Sequence, residues 1–201
     1  MWEEKAPKST ERRAYNGLTV LNGELYLAGG DGDETIGKGV QKYNPQTNKW
    51  VSLPAYMQQQ RPITAATHLE EKLLVVGGRM VGGSTRLAST EIYDPVTEQW
   101  SYGPELPSPR SGLALINHGG VVYAMGGHDG SGYSNQVYQL SALDGQWVTK
   151  APMNNSGDGH KLVSFQGKIW SLGGNTGGGT ISKRADVYDP LADSWSSSPD
   201  M

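Results

Sequence analysis

The chain has 201 residues, a formal net charge of −3 and no cysteine. That balance offers no basic field for nucleic acid or an anionic membrane surface, and no disulfide or thiolate metal site. No apolar run reaches the length of a membrane span, and the opening MWEEKAPKSTERR has no signal-peptide core.

Four glycine doublets punctuate the chain: Gly29-Gly30, Gly77-Gly78, Gly126-Gly127 and Gly173-Gly174, spaced 48, 49 and 47 residues apart. Tyr43, Tyr93, Tyr138 and Tyr188, with Trp50, Trp100, Trp147 and Trp195, keep step with them. A period near fifty residues, met four times, marks a repeat architecture. Glycine stands at 28 residues, about double the usual share, which tight turns between short strands explain.

Each repeat reads the same way in chain order. Ahead of each doublet lies a short apolar run: Leu25–Ala28, Leu73–Val76, Val121–Met125 and Ile169–Leu172. These runs read as strands buried on both faces. Before them come the two-residue turns Asn22-Gly23, Glu70-Glu71, Gly119-Gly120 and Gln166-Gly167, which imply hairpins with 17–21, 64–69, 112–117 and 161–165. After each doublet come a variable loop, a third strand through the tyrosine, a turn such as Asn44-Pro45, Asp94-Pro95 or Asp189-Pro190, and a fourth strand opening at the tryptophan. Four antiparallel strands per repeat make one propeller blade.

A glycine doublet, Tyr-Asp-Pro, a tryptophan seven residues on, and an arginine sixteen residues ahead of the doublet (Arg13, Arg61, Arg110) together resemble the kelch repeat. The resemblance covers nearly the whole chain. Two departures stand out. Repeat three reads YQLSALDGQW, with no proline and two extra residues between tyrosine and tryptophan, and repeat four has Gly157 where the arginine belongs. The tyrosines and tryptophans read as blade core, large apolar area with a polar tip, and not as a stacking platform.

The fold expected is an all-β propeller of four-stranded antiparallel blades. The blades span 10–57, 58–106, 107–153 and 154–201, and residues 1–9 form a partial outer strand, since Trp2 stands eleven residues before Arg13 as Trp50 does before Arg61. A single four-bladed ring is preferred, because unpaired blade faces invite association. An open arc and a two-chain eight-bladed ring are the alternatives. The surplus outer strand suggests a segment of a longer array, and Trp195 is expected to keep the pocket of the last blade.

Function is sought in what varies between repeats. The loops after the doublets differ: Asp31–Gly39 is acidic, with Asp31, Asp33 and Glu34; Arg79–Ala88 is basic, with Arg79 and Arg86. His128–Ser134 carries the run His128-Asp129-Gly130 and Tyr133, and Asn175–Lys183 is glycine-rich. In propellers of the kelch type this face usually holds the partner site. Arg61 and Arg110 open the innermost strands on it. They read either as a ring of guanidinium groups for a carboxylate or as internal ties to carbonyls and carboxylates, and the ties are preferred.

Signals for an enzyme are thin. His68, His118, His128 and His160 fall at different phases of the repeat, and Asp31-Gly-Asp33 has Ile36 and Lys42 where a calcium loop needs glycine and glutamate. No catalytic set, metal or cofactor is indicated. The reading is a non-catalytic module that binds a protein or acidic peptide through Arg61, Arg79, Arg86, Arg110, Asp31, Asp33, Glu34, His128, Asp129 and Tyr133. It carries no nucleic-acid or membrane role and is cytoplasmic. Homo-oligomers through the N-terminal outer strand or exposed blade faces are entertained. Two other readings stay open: a carboxylated-sugar site of the isomerase type at the central mouth, as the resemblance allows, and a structural fragment of a larger propeller.

Overall fold

The computed structural model describes residues 13–177 and 180–198. It contains four four-stranded antiparallel sheets, each a meander in chain order. The first blade is β1 (Gly17–Leu21), β2 (Glu24–Ala28), β3 (Val40–Asn44) and β4 (Lys49–Ser52), with a short helix α1 (Glu34–Lys38) between β2 and β3. The second is β5 (Ala65–Leu69), β6 (Lys72–Val76), β7 (Thr90–Asp94) and β8 (Gln99–Tyr102). The third is β9 (Ala114–His118), β10 (Val121–Met125), β11 (Val137–Leu140) and β12 (Val148–Lys150). The fourth is β13 (Lys161–Phe165), β14 (Lys168–Leu172), β17 (Ala185–Asp189) and β18 (Ser194–Ser197), with a small hairpin of β15 (Asn175–Gly177) and β16 (Thr180–Ile181) rising from its loop. The all-β propeller of four four-stranded blades is the fold found.

Local chemistry explains the meander. All four two-residue hairpin turns have both residues at positive φ, as a type I′ turn requires; even Glu70 and Glu71 sit at 49° and 58°. The outer turns after β3, β7 and β17 are closed by Asn44, Asp94 and Asp189, whose side chains accept the backbone N–H groups two and three residues on. The helix is a local surprise in an all-β chain. Asp33 caps it by accepting from Ile36 N, and Lys38 donates to Glu34 one turn away.

The third blade corrects one alignment. Strand register puts Leu140 opposite Val122, where Tyr43, Tyr93 and Tyr188 stand opposite Leu25, Leu73 and Ile169. Leu140 is therefore the tyrosine's structural counterpart, and it lies seven residues before Trp147 like the others. The repeat has no insertion there. Tyr138 belongs instead with Gln41, Glu91 and Asp186, one residue into the third strand.

Neighbouring blades meet through their innermost strands, β1 on β5, β5 on β9 and β9 on β13. Apolar clusters fill these three junctions, around Leu73, Val75 and Tyr93, around Leu74, Val122 and Leu140, and around Met125, Ile169 and Tyr188. The doublets serve the same junctions. Gly30 N, Gly78 N and Gly127 N donate to the carbonyls of Arg61, Arg110 and Gly157 in the following blade. At Gly77, with φ of 64°, a Cβ would fall 2.5 Å from Arg110 O, so only glycine fits. Indole groups lock the outer rim: Trp100, Trp147 and Trp195 donate to the carbonyls of Ala55, Pro104 and Ala151 in the preceding linkers. Trp195 thus occupies its own blade's pocket, while the expectation for residues 1–9 lies outside the described residues. No comparable strand contact joins β13 to β1 among the described residues. Among the described residues Gly174 N makes no bond to Arg13, and Leu18, Val20, Val163 and Phe165 on the two outward faces are about half exposed.

Candidate binding face

The loops after the four doublets lie on one end of the blades, the first touching the second and the third touching the fourth. Arg79 Nη2 reaches Asp31 Oδ1 at 3.9 Å, joining the loops of blades one and two. Arg79 pairs across its own loop with Arg86, whose guanidinium donates to Ser84 O. In blade three, His128 pairs with Tyr133, their rings edge to face at 5.1 Å. Asn175 Nδ2 of blade four then donates to the Tyr133 hydroxyl at 2.9 Å. Asp31, Asp33, Glu34, Arg79, Arg86, His128, Asp129 and Tyr133 therefore share one rim.

Their availability differs. Asp33 is spent on the helix cap, and Glu34 is exposed but paired with Lys38. Asp129 accepts from Ser131 N, Ser131 Oγ and Gly132 N, and these bonds hold its pKa down to about 2. It staples its loop, and the adjoining Gly130 N donates to His128 Nδ1. Arg79 and Arg86 carry their charge at the rim.

Arg61 and Arg110 take the other role foreseen for them. Arg61 is fully buried; its Nε donates to Glu91, Nη1 to Gly77 O and Ser89 O, and Nη2 to Gln59 and Ser89 Oγ. Burial lowers its pKa and Glu91 opposes the shift, so the pair is an internal strut. Arg110 donates to Gly126 O, Ser108 Oγ and the Tyr138 hydroxyl, and its guanidinium lies over the Tyr138 ring at 4.9 Å. Arg13 donates to Gly29 O and Gly39 O in the same manner. Tyr138 packs in the apolar cluster of the junction and turns its hydroxyl and ring face to Arg110.

A groove of about 410 Å³ opens between α1 and the basic loop, lined by Glu34, Lys38, Gln58–Gln60, Met80, Val81 and Leu87. Met80 and Val81 are about half exposed at its lip, an apolar edge beside Arg79 and Arg86. Its floor is fixed from below, since Glu91 also accepts the backbone N–H groups of Gln58 and Gln59. Sequence reasoning missed this groove. Its one signal was a Met-Val pair in an otherwise glycine-rich polar loop.

Comparison with known proteins agrees with this architecture. Kelch-like protein 36 of Bos taurus is 30% identical over 209 residues, covering 96% of this chain and 33% of its own length. Kelch-like protein 34 of Homo sapiens is 31% identical over 193 residues, and beta-scruin of Limulus polyphemus is 28% identical over 198. The chain thus spans about a third or less of the length of these curated relatives. The solved structure titled "Structure of YjhT" superposes with a TM-score of 0.84 at 16% identity, over 97% of this chain and 68% of that one, which establishes likeness of fold. None of the helices among the described residues is long and apolar enough to cross a membrane. The family model of the KLHDC2/KLHL20/DRC7 Kelch-repeats domain matches residues 15–201, and the chain belongs to the kelch-repeat family.

Proposed function

We propose that the chain is a protein-binding module that holds an acidic, partly apolar peptide segment across the loop face of blades one and two. The observation that carries this reading is the groove beside α1, where half-exposed Met80 and Val81 adjoin the Arg79 and Arg86 guanidinium groups. An extended segment with apolar anchors and carboxylates complements both features. The groove is broad and lined largely by glutamines and aliphatic groups, which supports a peptide over a small carboxylated sugar, whose recognition needs several convergent polar groups in a deep pocket. Arg61 and Arg110 are not part of the proposed site, being committed to the blades. A cytoplasmic setting completes the reading, and a cysteine-free chain suits it.

Selection from a random-peptide library on the immobilised protein tests this. The expected ligands are acidic with one or two apolar anchors. Their binding weakens with salt, is lost in Arg79→Glu/Arg86→Glu, and survives Lys49→Glu in β4. Ligands indifferent to the Arg79/Arg86 reversal would overturn it. A second reading rests on Leu18 and Val20 of β1 and Val163 and Phe165 of β13, whose half-exposed side chains favour association of copies through outward blade faces. Light scattering of the wild type against Phe165→Lys distinguishes an associated state from a monomer.

A further inference from the structure

The fourth blade lacks the arginine that the other three carry, yet it keeps the site that would receive it. In blade two the Arg61 guanidinium sits among Gly77 O, Ser89 O, Gln59 and the Glu91 carboxylate. Strand register maps these positions onto Gly173, Arg184, Asn155 and Asp186 of blade four, and Gly157 replaces the arginine itself. The backbone frame is unchanged, because Gly173 N donates to Arg184 O as Gly77 N does to Ser89 O. A cleft lined by Asn155, Gly157, His160, Gly173, Arg184 and Asp186 occupies the place of the missing side chain.

The groups around this cleft are short of partners. Asp186 is only 9% exposed, and among the described residues it forms no ion pair. It accepts from Ser197 Oγ at 3.0 Å and, at the 3.5 Å limit, from Asn154 and Asn155. His160 is 4% exposed, and its Nε2 has no hydrogen-bond partner. Burial drives its pKa down to about 4, so the ring is neutral near pH 7 and does not repel a cation. The exposed Arg184 side chain makes no bond to Asp186. Asp186 is thus met by neutral donors only, where Glu91 in blade two is met by a guanidinium.

We propose that this cleft is a guanidinium-binding slot, completed by the arginine side chain of a partner protein in the way Arg61 completes blade two. Asp186 takes the charge, while the Gly173 and Arg184 carbonyls take the edge that Gly77 and Ser89 serve in blade two. The cleft is narrow, with about 20 Å³ of free room, space for roughly one water. A guanidinium is larger than that room, so the exposed Arg184 side chain at the edge of the cleft must give way to admit it. Its planar fork then matches Asp186 and the two carbonyls together, which the point-charge ammonium of lysine does not. The slot goes beyond the acidic-peptide reading: it lies in a different blade and recognises the opposite charge.

Titration of the full chain with N-acetyl-glycyl-arginyl-glycine amide, followed by amide NMR, tests the proposal. Chemical-shift changes are expected at Gly173, Arg184 and Asp186, with the lysine analogue at least about tenfold weaker, a difference of about 1.4 kcal/mol. Asp186→Asn is expected to remove the response. Methylguanidinium producing the same shifts identifies the slot as a general guanidinium site. A response to the peptide alone assigns it to a chain-borne arginine. Gly157→Arg is expected to fill the slot from within, abolish the response and raise the thermal midpoint, although its Cβ lies 2.9 Å from Asn175 O and that carbonyl must yield slightly. If Gly157→Arg does not fold, Asp186→Asn decides the matter. Absence of shifts at these residues, equal shifts with lysine, or shifts retained in Asp186→Asn overturns the proposal.

Discussion

Blades two and four share a strand order, a doublet, a Tyr-Asp-Pro turn and a tryptophan, yet they differ at their centres. Blade two is closed around a charge pair: Arg61 and Glu91, both fully buried, tie the doublet to the third strand and hold the linker that floors the groove beside α1. Blade four has the carboxylate without the arginine, and its innermost strand β13 faces outward with Val163 and Phe165 about half exposed. The same template therefore yields a rigid element where every donor is used, and an adaptable one where an acceptor waits. What repeats in full is scaffold. What repeats with a part missing is a candidate site.

The sharpest way to break this comparison is to empty the filled slot. Arg61→Ala leaves Glu91 buried without its charge partner, and a loss of about 3–5 kcal/mol is expected in urea unfolding. Asp186→Asn at the equivalent place in blade four is expected to cost less than about 1 kcal/mol, because no internal cation is lost. Equal losses would mean that the two slots are energetically alike.

The next effect lies at the doublets. Gly77→Val adds a Cβ 2.5 Å from Arg110 O at a φ of 64°, so overpacking and left-handed strain together cost about 2–5 kcal/mol. Gly173→Val meets nothing closer than Ser182 O at 3.9 Å, leaving about 1–2 kcal/mol of backbone strain. Thermal unfolding of the two variants separates a doublet that seats the next blade from one that does not.

His160 then gives blade four a pH response that blade two lacks, since Thr64 holds the corresponding position before β5. Its folded pKa, about 4, lies below the ordinary 6.5, so between these values the unfolded chain binds a proton that the folded chain refuses. Stability from this group is complete above pH 6.5 and is lost as pH falls towards 4, by on the order of 3 kcal/mol. His160→Gln is expected to flatten that part of the profile. The smallest effect concerns the inner turn, where Glu71 holds a left-handed conformation that glycine holds in blade four. Glu71→Gly is expected to stabilise by under about 1 kcal/mol in the same unfolding assay.

Most of the fold was legible because it rests on local chemistry written four times. The doublets need positive φ and close approach, the Asn-Gly and Asx-Pro turns set hairpins, and the tryptophan spacing marks each outer strand. The third blade was harder to read. Tyr138 looked like the core tyrosine because it is a tyrosine near the right place, and only strand pairing shows that Leu140 fills that role while Tyr138 faces Arg110. The arginines' part as ties was readable from their repetition in register, but their full set of acceptors was not. The groove was hidden for a different reason. It forms where a capped helix in one loop meets a Met-Val edge in another, and neither loop repeats. Nor could the pairing of Asp186 with an absent arginine be read before register aligned it with Glu91.

The central claim is that the repeat-start arginines are internal struts and not open ligands of the binding face. Hydrogen exchange of the arginine Nε–H groups by NMR tests it most directly. The account predicts that the Arg61 Nε–H, bonded to Glu91 at 3.0 Å inside the blade, exchanges as slowly as core amides of β6, while exposed Arg184 exchanges at the free rate. An Arg61 Nε–H that exchanges as fast as Arg184 would contradict the account and return that arginine to the binding face.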